Sequence, residues 1–195
     1  MIYRLFAATI FATGLVISIY FRRKADADTG EKVSWEKEGL FMILALRMGG
    51  LLLWMTMVGY LIYPPLLAWS HAGLPDWARW LGVGLGMITV SLIYWMFISL
   101  GAGITPSVAT RTSHRLVTSG PYHWIRHPLY TFGTSFFLSF ALIADSWFIA
   151  ILAVLAFWLL SLRVPVEEAL LAEKFGVDYD KYTERTGKFL PKFNQ

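Results

Sequence analysis

Cysteine is absent from this 195-residue chain. That excludes disulfides, thiolate catalysis and cysteine-ligated zinc in one step, and it leaves the redox compartment undetermined. Charge is scarce as well: Asp, Glu, Lys and Arg make up 15% of the residues, against 56% hydrophobic ones. A soluble domain of this length carries more charge and less apolar surface. No internal repeat and no low-complexity segment is evident, so neither a solenoid nor a disordered tail is indicated. The formal net charge is +4 and the pI about 9.4, yet no basic stripe with interleaved exposed aromatics is present, and nucleic acid is excluded as a partner on that ground.

What is present is a set of long apolar runs with a mean hydropathy of +0.54. Ile2 to Tyr20, Leu40 to Trp69 and Trp80 to Leu100 each approach or exceed the roughly 20 residues that cross a bilayer. The first run lacks a small-residue cleavage site and is followed by Arg22-Arg23-Lys24, so it reads as a retained span. Pro64-Pro65 should end or kink the second. Pro128 to Ala144 and Ser146 to Leu162 read as two shorter spans hinged at Asp145. Pro165 is suited to a first helical turn, and a last helix is expected from it to about Arg185. The fold class is therefore all-α: an integral membrane bundle of about five transmembrane helices with a C-terminal cytosolic helix. It forms one domain over residues 1–195, with three spans in 1–100 and the chemistry in 101–195.

With five spans and the N-terminus outside, fourteen of the 17 Lys and Arg residues fall on the inner side. They include Arg22, Arg23, Lys24, Lys32, Lys37, Arg111 and Arg115. The positive-inside rule thus predicts a cell-membrane protein with its C-terminus and both polar clusters in the cytoplasm. Gly82, Gly84 and Gly86 lie in a span, where a dinucleotide fingerprint has neither its strand nor its following helix; close helix packing through Gly82 and Gly86 is expected. Trp54, Trp69, Trp77, Trp80 and Trp147 read as interfacial belts.

Two polar clusters stand out. The first, Thr118 to Tyr130, sets Gly120, Tyr122, His123, Arg126, His127 and Tyr130 among apolar spans, where ionisable groups are costly and mark sites. The competing explanation is a re-entrant loop whose polar groups satisfy its own backbone. His123 and His127 have metal-ligand spacing on a helix, but His127 precedes Pro128, which disfavours helical geometry, and no third ligand is obvious. No metal is expected. The second cluster is Arg163-Val-Pro-Val-Glu167-Glu168. Helix-dipole placement alone accounts for two acids in a first turn. Successive helical residues point about 100° apart, so one carboxylate is expected to face a ligand while the other pairs with a cation.

These blocks resemble a known family. Leu116-Val117-x-x-Gly120-x-Tyr122-x-x-x-Arg126-His127-Pro128-x-Tyr130 is similar to the signature of the isoprenylcysteine carboxyl methyltransferases and related membrane methyltransferases. Arg163-x-x-x-Glu167-Glu168-x-x-Leu171-x-x-x-Phe175-Gly176-x-x-Tyr179-x-x-Tyr182 and Gly187-x-x-x-Pro191 resemble its later blocks. The likeness covers roughly residues 100–191, and the first two spans carry no diagnostic residue. It implies S-adenosyl-L-methionine as cofactor and a lipophilic small-molecule or lipid-linked acceptor reached from the surrounding membrane lipids. It implies a cofactor pocket lined by Leu116, Val117, Gly120, Tyr122, His127, Pro128 and Tyr130 and closed by Glu167 and Glu168. It further implies Arg163, Arg126 and Glu167 as the catalytic group, with the arginines toward the acceptor. A carboxylate acceptor needs no base; a thiol or amine would need one, and His127 or a Glu can serve. Ile104-Thr105 departs from the aromatic residue and Ser that members often carry in that region. Three alternatives stand beside this reading. One is a phospholipid or small-molecule N- or S-methyltransferase. Another is an NADPH-dependent sterol-type reductase, which shares Arg-His-Pro-x-Tyr but usually carries Asn where Leu129 stands. The last is a non-enzymatic scaffold.

Overall fold

The computed structural model describes residues 1–29, 40–100 and 116–192. Ile104, Thr105, Lys32, Lys37, Arg111 and Arg115 lie outside them. Six α-helices follow in order: α1 (Ile2–Thr29), α2 (Leu40–Ile62), α3 (Asp76–Leu100), α4 (Pro128–Ala144), α5 (Trp147–Phe175) and α6 (Val177–Arg185). Four of them, α1, α2, α3 and α5, are long and apolar enough to cross a membrane, and α4 is a shorter apolar helix. At 1.5 Å per residue its 17 residues extend about 25 Å. The all-α membrane bundle expected from the sequence is the fold observed.

Proline sets several boundaries. Tyr63 precedes Pro64-Pro65, and α2 gives way there to a 3-10 turn over Pro64–Ser70, since a proline lacks the amide that would continue the ladder. Pro128 occupies the first turn of α4. Pro165 behaves differently: α5 runs straight through it from Trp147 to Phe175. The expected helix start at Pro165 is thus corrected. Inside a membrane bundle a helix with one missing hydrogen bond is still better than exposed, unpaired backbone, so proline is tolerated mid-helix. The break comes eleven residues later at Gly176, whose φ is +52°.

The core forms where α3 and α4 meet, the most extensive helix contact in the molecule. A Cβ on Gly82 would lie 2.7 Å from Leu142 Cβ and 2.9 Å from the Ser139 carbonyl, and one on Gly86 would lie 2.9 Å from Ile10 Cδ1 on α1. Gly84, between them, faces open space. Gly82 thus lets the α3 backbone approach that of α4, and Gly86 makes room for the side chains of Ile10 and Ser139. Phe140 on α4 is wholly buried, edge-on to Phe11 of α1 and Tyr60 of α2.

The two ends of the bundle differ. At one end Asp145 ends α4 in the left-handed region (φ +55°), and its carboxylate accepts the Leu74 amide at 2.9 Å and lies 2.9 Å from His71 Nε2. Trp69, Trp77, Trp80 and Trp147 are exposed at this end. Trp54 is not part of that belt. It sits mid-way along α2, edge-on to Phe11 and Phe137, because the second span ends at Ile62 rather than Trp69. The other end gathers the C-terminal halves of α1, α3 and α5 with α6 and the segment 116–127.

Candidate active site

The segment before α4 is held by close packing against α3. Gly120 has φ +61°, and a Cβ there would lie 2.0 Å from Ser99 Oγ, so no side chain fits. Gly120–His123 then forms one 3-10 turn. His127 sits outside the helical region (φ −120°, ψ 60°) ahead of Pro128, whose ring disfavours helical geometry for the residue before it. The segment after α6 runs alongside: Arg126 and His127 donate their amides to the Gly187 and Lys188 carbonyls at 2.9 and 3.1 Å, and Gly187 returns one to Trp124. The first polar block and the chain's last block thus form one short parallel strap, which no helix periodicity would reveal.

Glu167 and Glu168 leave α5 in different directions. Glu168 accepts from Arg126 Nε at 2.9 Å and lies 3.3 Å from His127 Nε2 and 3.1 Å from Lys188 Nζ. Arg126 Nη1 also donates to the carbonyls of Thr183 and Thr186. Three basic groups thus converge on one carboxylate, and α5 is tied to both halves of the strap. Glu167 accepts from Tyr130 Oη at 2.8 Å and stands 3.8 Å from His127 Nδ1. His127, buried, lies between the two acids with its ring stacked on Tyr130.

Glu167 opens onto a cavity of about 530 Å3, within the usual range for a cofactor site. Among the expected site residues, Leu116, Val117, Tyr122, Arg126, His127, Pro128, Tyr130, Arg163 and Glu167 line it. Gly120 and Glu168 do not: the first packs the turn on α3, and the second sits in the ion cluster behind the wall. The expected site residues left out contributions from α1, α2 and α6. Gly14, Ser18 and Arg22 recur every four residues along one face of α1 and line the cavity; so do Gly50 and Trp54 of α2, and Tyr179 and Tyr182 of α6. The four-residue recurrence on α1 was the available signal, obscured because Arg22 also reads as a topogenic flank. The first two spans therefore do contribute to the site.

Burial fixes the protonation of the tyrosines at this end. Tyr122 and Tyr179 are pushed well above the ordinary phenol range by desolvation, with nearby acids adding to it. Tyr182 is pushed up to about 12 by burial, moderated by Arg126. All three are neutral hydroxyls at physiological pH. Tyr182 donates to the Tyr122 carbonyl at 2.7 Å. Among the described residues no group of three or more metal-ligating side chains is assembled.

The model of the family described as phospholipid methyltransferase (PEMT) matches residues 77–178, which run from the start of α3 to the start of α6 and take in both polar blocks. The chain belongs to the phospholipid methyltransferase family. It is thus a member of a family of membrane methyltransferases, similar to the isoprenylcysteine enzymes as the motifs implied. Two curated relatives agree over part of their length. The uncharacterized protein YpbQ of Bacillus subtilis (strain 168) is 29% identical over 96 residues, 48% of this chain and 57% of that protein. The nickel-cobalt-cadmium resistance protein NccN of Alcaligenes xylosoxydans xylosoxydans is 32% identical over 87 residues, 45% of this chain and 41% of that one. The chain spans about half the length of these relatives. The solved eukaryotic intramembrane Ras methyltransferase ICMT shares the fold, with a TM-score of 0.61 and 21% identity over 95% of this chain and 67% of that one.

Proposed function

We propose that this protein is an S-adenosyl-L-methionine-dependent methyltransferase that esterifies a lipophilic carboxylate at the cytoplasmic face of the cell membrane. The observation that carries this reading is the single cavity joining a polar end, built by His127, Tyr130, Arg163 and Glu167, to an apolar stretch walled by Trp54, Phe97, Phe136 and Phe137. Such a site suits a polar cofactor at one end and a hydrocarbon acceptor at the other.

The donor set fits the cofactor. Glu167 is a carboxylate held toward the cavity by the Tyr130 hydroxyl, able to face a cationic group. Tyr122 and Tyr130 add aromatic walls, which attract sulfonium or ammonium. When bound, the cofactor supplies an electrophilic methyl group on a cationic sulfur. The residues orient the reactants for in-line displacement, the main requirement of methyl transfer. These residues would hold that methyl group in line with an acceptor carboxylate, which is already ionised and would need no general base. Arg163 lies in the same wall one turn before Glu167 and orients the acceptor acid. Arg126, engaged with Glu168 and two carbonyls, acts by holding the wall.

Calorimetric titration of the detergent-purified protein with S-adenosylhomocysteine beside NADPH tests the reading. Binding of S-adenosylhomocysteine alone is expected; binding of NADPH alone would replace it with a reductase. Arg163→Ala is expected to lower turnover on a prenylated or acyl carboxylate at least tenfold while changing cofactor affinity little. Loss of cofactor affinity alone would move Arg163 into the cofactor shell.

A further inference from the structure

Tyr179 and Tyr182 form an internal comparison. They stand three residues apart on α6, both 3% exposed and both in the cavity wall, with rings 6.1 Å apart. The Tyr182 hydroxyl is satisfied by the Tyr122 carbonyl. The Tyr179 hydroxyl is buried with no hydrogen-bond partner among the described residues. A buried hydroxyl left unpaired is disfavoured, and native structures rarely keep one without a role. Phenylalanine would fill the same space without that cost.

We infer that Tyr179 donates its hydroxyl hydrogen bond to the carboxylate at the amino-acid end of the bound cofactor. This rests on the methyltransferase reading above. Burial, reinforced by the charges of Glu168 and Glu167, keeps the phenol protonated, so it enters the site as a neutral donor. Its partner on the ligand must therefore be an acceptor. The neighbouring groups narrow the choice. Glu167 can only accept, and it answers the cofactor's cationic groups. Arg126 and Lys188 are drawn onto Glu168. An anionic carboxylate in a partly enclosed cavity needs donors more than any other part of this ligand, and Tyr179 is a neutral donor in the cavity wall. Gly176 and the Tyr182 bond set its position by anchoring both ends of the α6 face.

The test combines thermal unfolding with calorimetric binding of S-adenosylhomocysteine and of 5′-methylthioadenosine, which has the nucleoside but not the amino-acid part. Tyr179→Phe is expected to unfold at the same or a higher temperature than the parent without ligand. It should bind S-adenosylhomocysteine about tenfold or more weakly and 5′-methylthioadenosine unchanged. Tyr182→Phe, which breaks an internal bond, should instead lower the unliganded midpoint. Equal weakening for both ligands would put the hydroxyl against the nucleoside and overturn the assignment. Unchanged affinity for both would also overturn it, leaving a solvated hydroxyl. Failure of the parent protein to bind S-adenosylhomocysteine would remove the methyltransferase reading and this assignment together.

Discussion

Glu168 shows how one residue can belong to a site without touching its contents. It gathers Arg126, His127 and Lys188, and those three come from the loop before α4 and the strap after α6. Glu168→Gln keeps the size and removes the charge, leaving two or three partly buried cations without their counter-ion. A destabilisation of about 2 kcal/mol is expected, below the range for a fully buried pair because the side chain is partly exposed. The measurement is the unliganded thermal midpoint in detergent. An unchanged midpoint would dissolve the structural role assigned here. Glu167→Gln is the contrasting substitution. It breaks no ion pair of that strength and should weaken S-adenosylhomocysteine binding with little effect on the midpoint. The tyrosines give a pH signature. Tyr182 titrates near 10 when unfolded and near 12 when folded. A raised folded pKa means its contribution to stability is fully present below pH 10 and is lost as pH rises from 10 to 12. Absorbance at the phenolate band should show Tyr122, Tyr179 and Tyr182 ionising well after the exposed tyrosines as pH rises. Ionisation of all tyrosines near pH 10 in the folded protein would contradict their burial.

At the scale of elements, the α3–α4 seam depends on Gly82 more than on its neighbour in the run. A leucine at Gly82 meets Leu142 and the Ser139 carbonyl, whereas one at Gly84 points into open space toward lipid. Gly82→Leu is expected to cost upwards of 2 kcal/mol or to prevent recovery of folded protein, because backbone must move. Gly84→Leu should be close to neutral, since a leucine facing acyl chains is well solvated. Proteolytic resistance and thermal midpoint of the pair separate the two; equal behaviour would contradict the packing described. The continuity of α5 through Pro165 has a consequence too. It places Arg163 and Glu167 one turn apart on a single helix, so the two charged groups of the cavity wall keep a constant spacing.

For the molecule as a whole, the cavity joins the elements, since every long helix contributes to its wall. Gly50 on α2 and Gly133 on α4 line it, and a Cβ at either would meet nothing within 4 Å. Gly50→Leu and Gly133→Leu therefore add bulk to the cavity without colliding with the protein. Each should leave the fold intact and S-adenosylhomocysteine binding near that of the parent, and should raise the KM for long-chain acceptors more than for short ones. Equal effects on long and short acceptors would mean that the apolar stretch does not hold the acceptor's chain.

Much of this was legible before any coordinates. Long apolar runs with almost no charge leave a chain no option but helices that satisfy their own backbone in lipid, so the all-α bundle and its approximate boundaries follow from composition and proline placement. The two ionisable blocks stood out because charge at a membrane is costly, and the structure brings them together around one cavity. The 100° step between successive helical residues predicted that Glu167 and Glu168 would face different ways. Tertiary structure decided the rest. Whether Pro165 starts a helix or sits inside one depends on neighbours that local propensity does not contain. That Glu168 is sequestered by Lys188, that Tyr179 is buried without a hydrogen-bond partner among the described residues while Tyr182 has one, and that α1 lends Gly14, Ser18 and Arg22 to the cavity are outcomes of contacts between residues far apart in the chain. Helical periodicity reports which face a residue is on; only the packed bundle determines what that face meets.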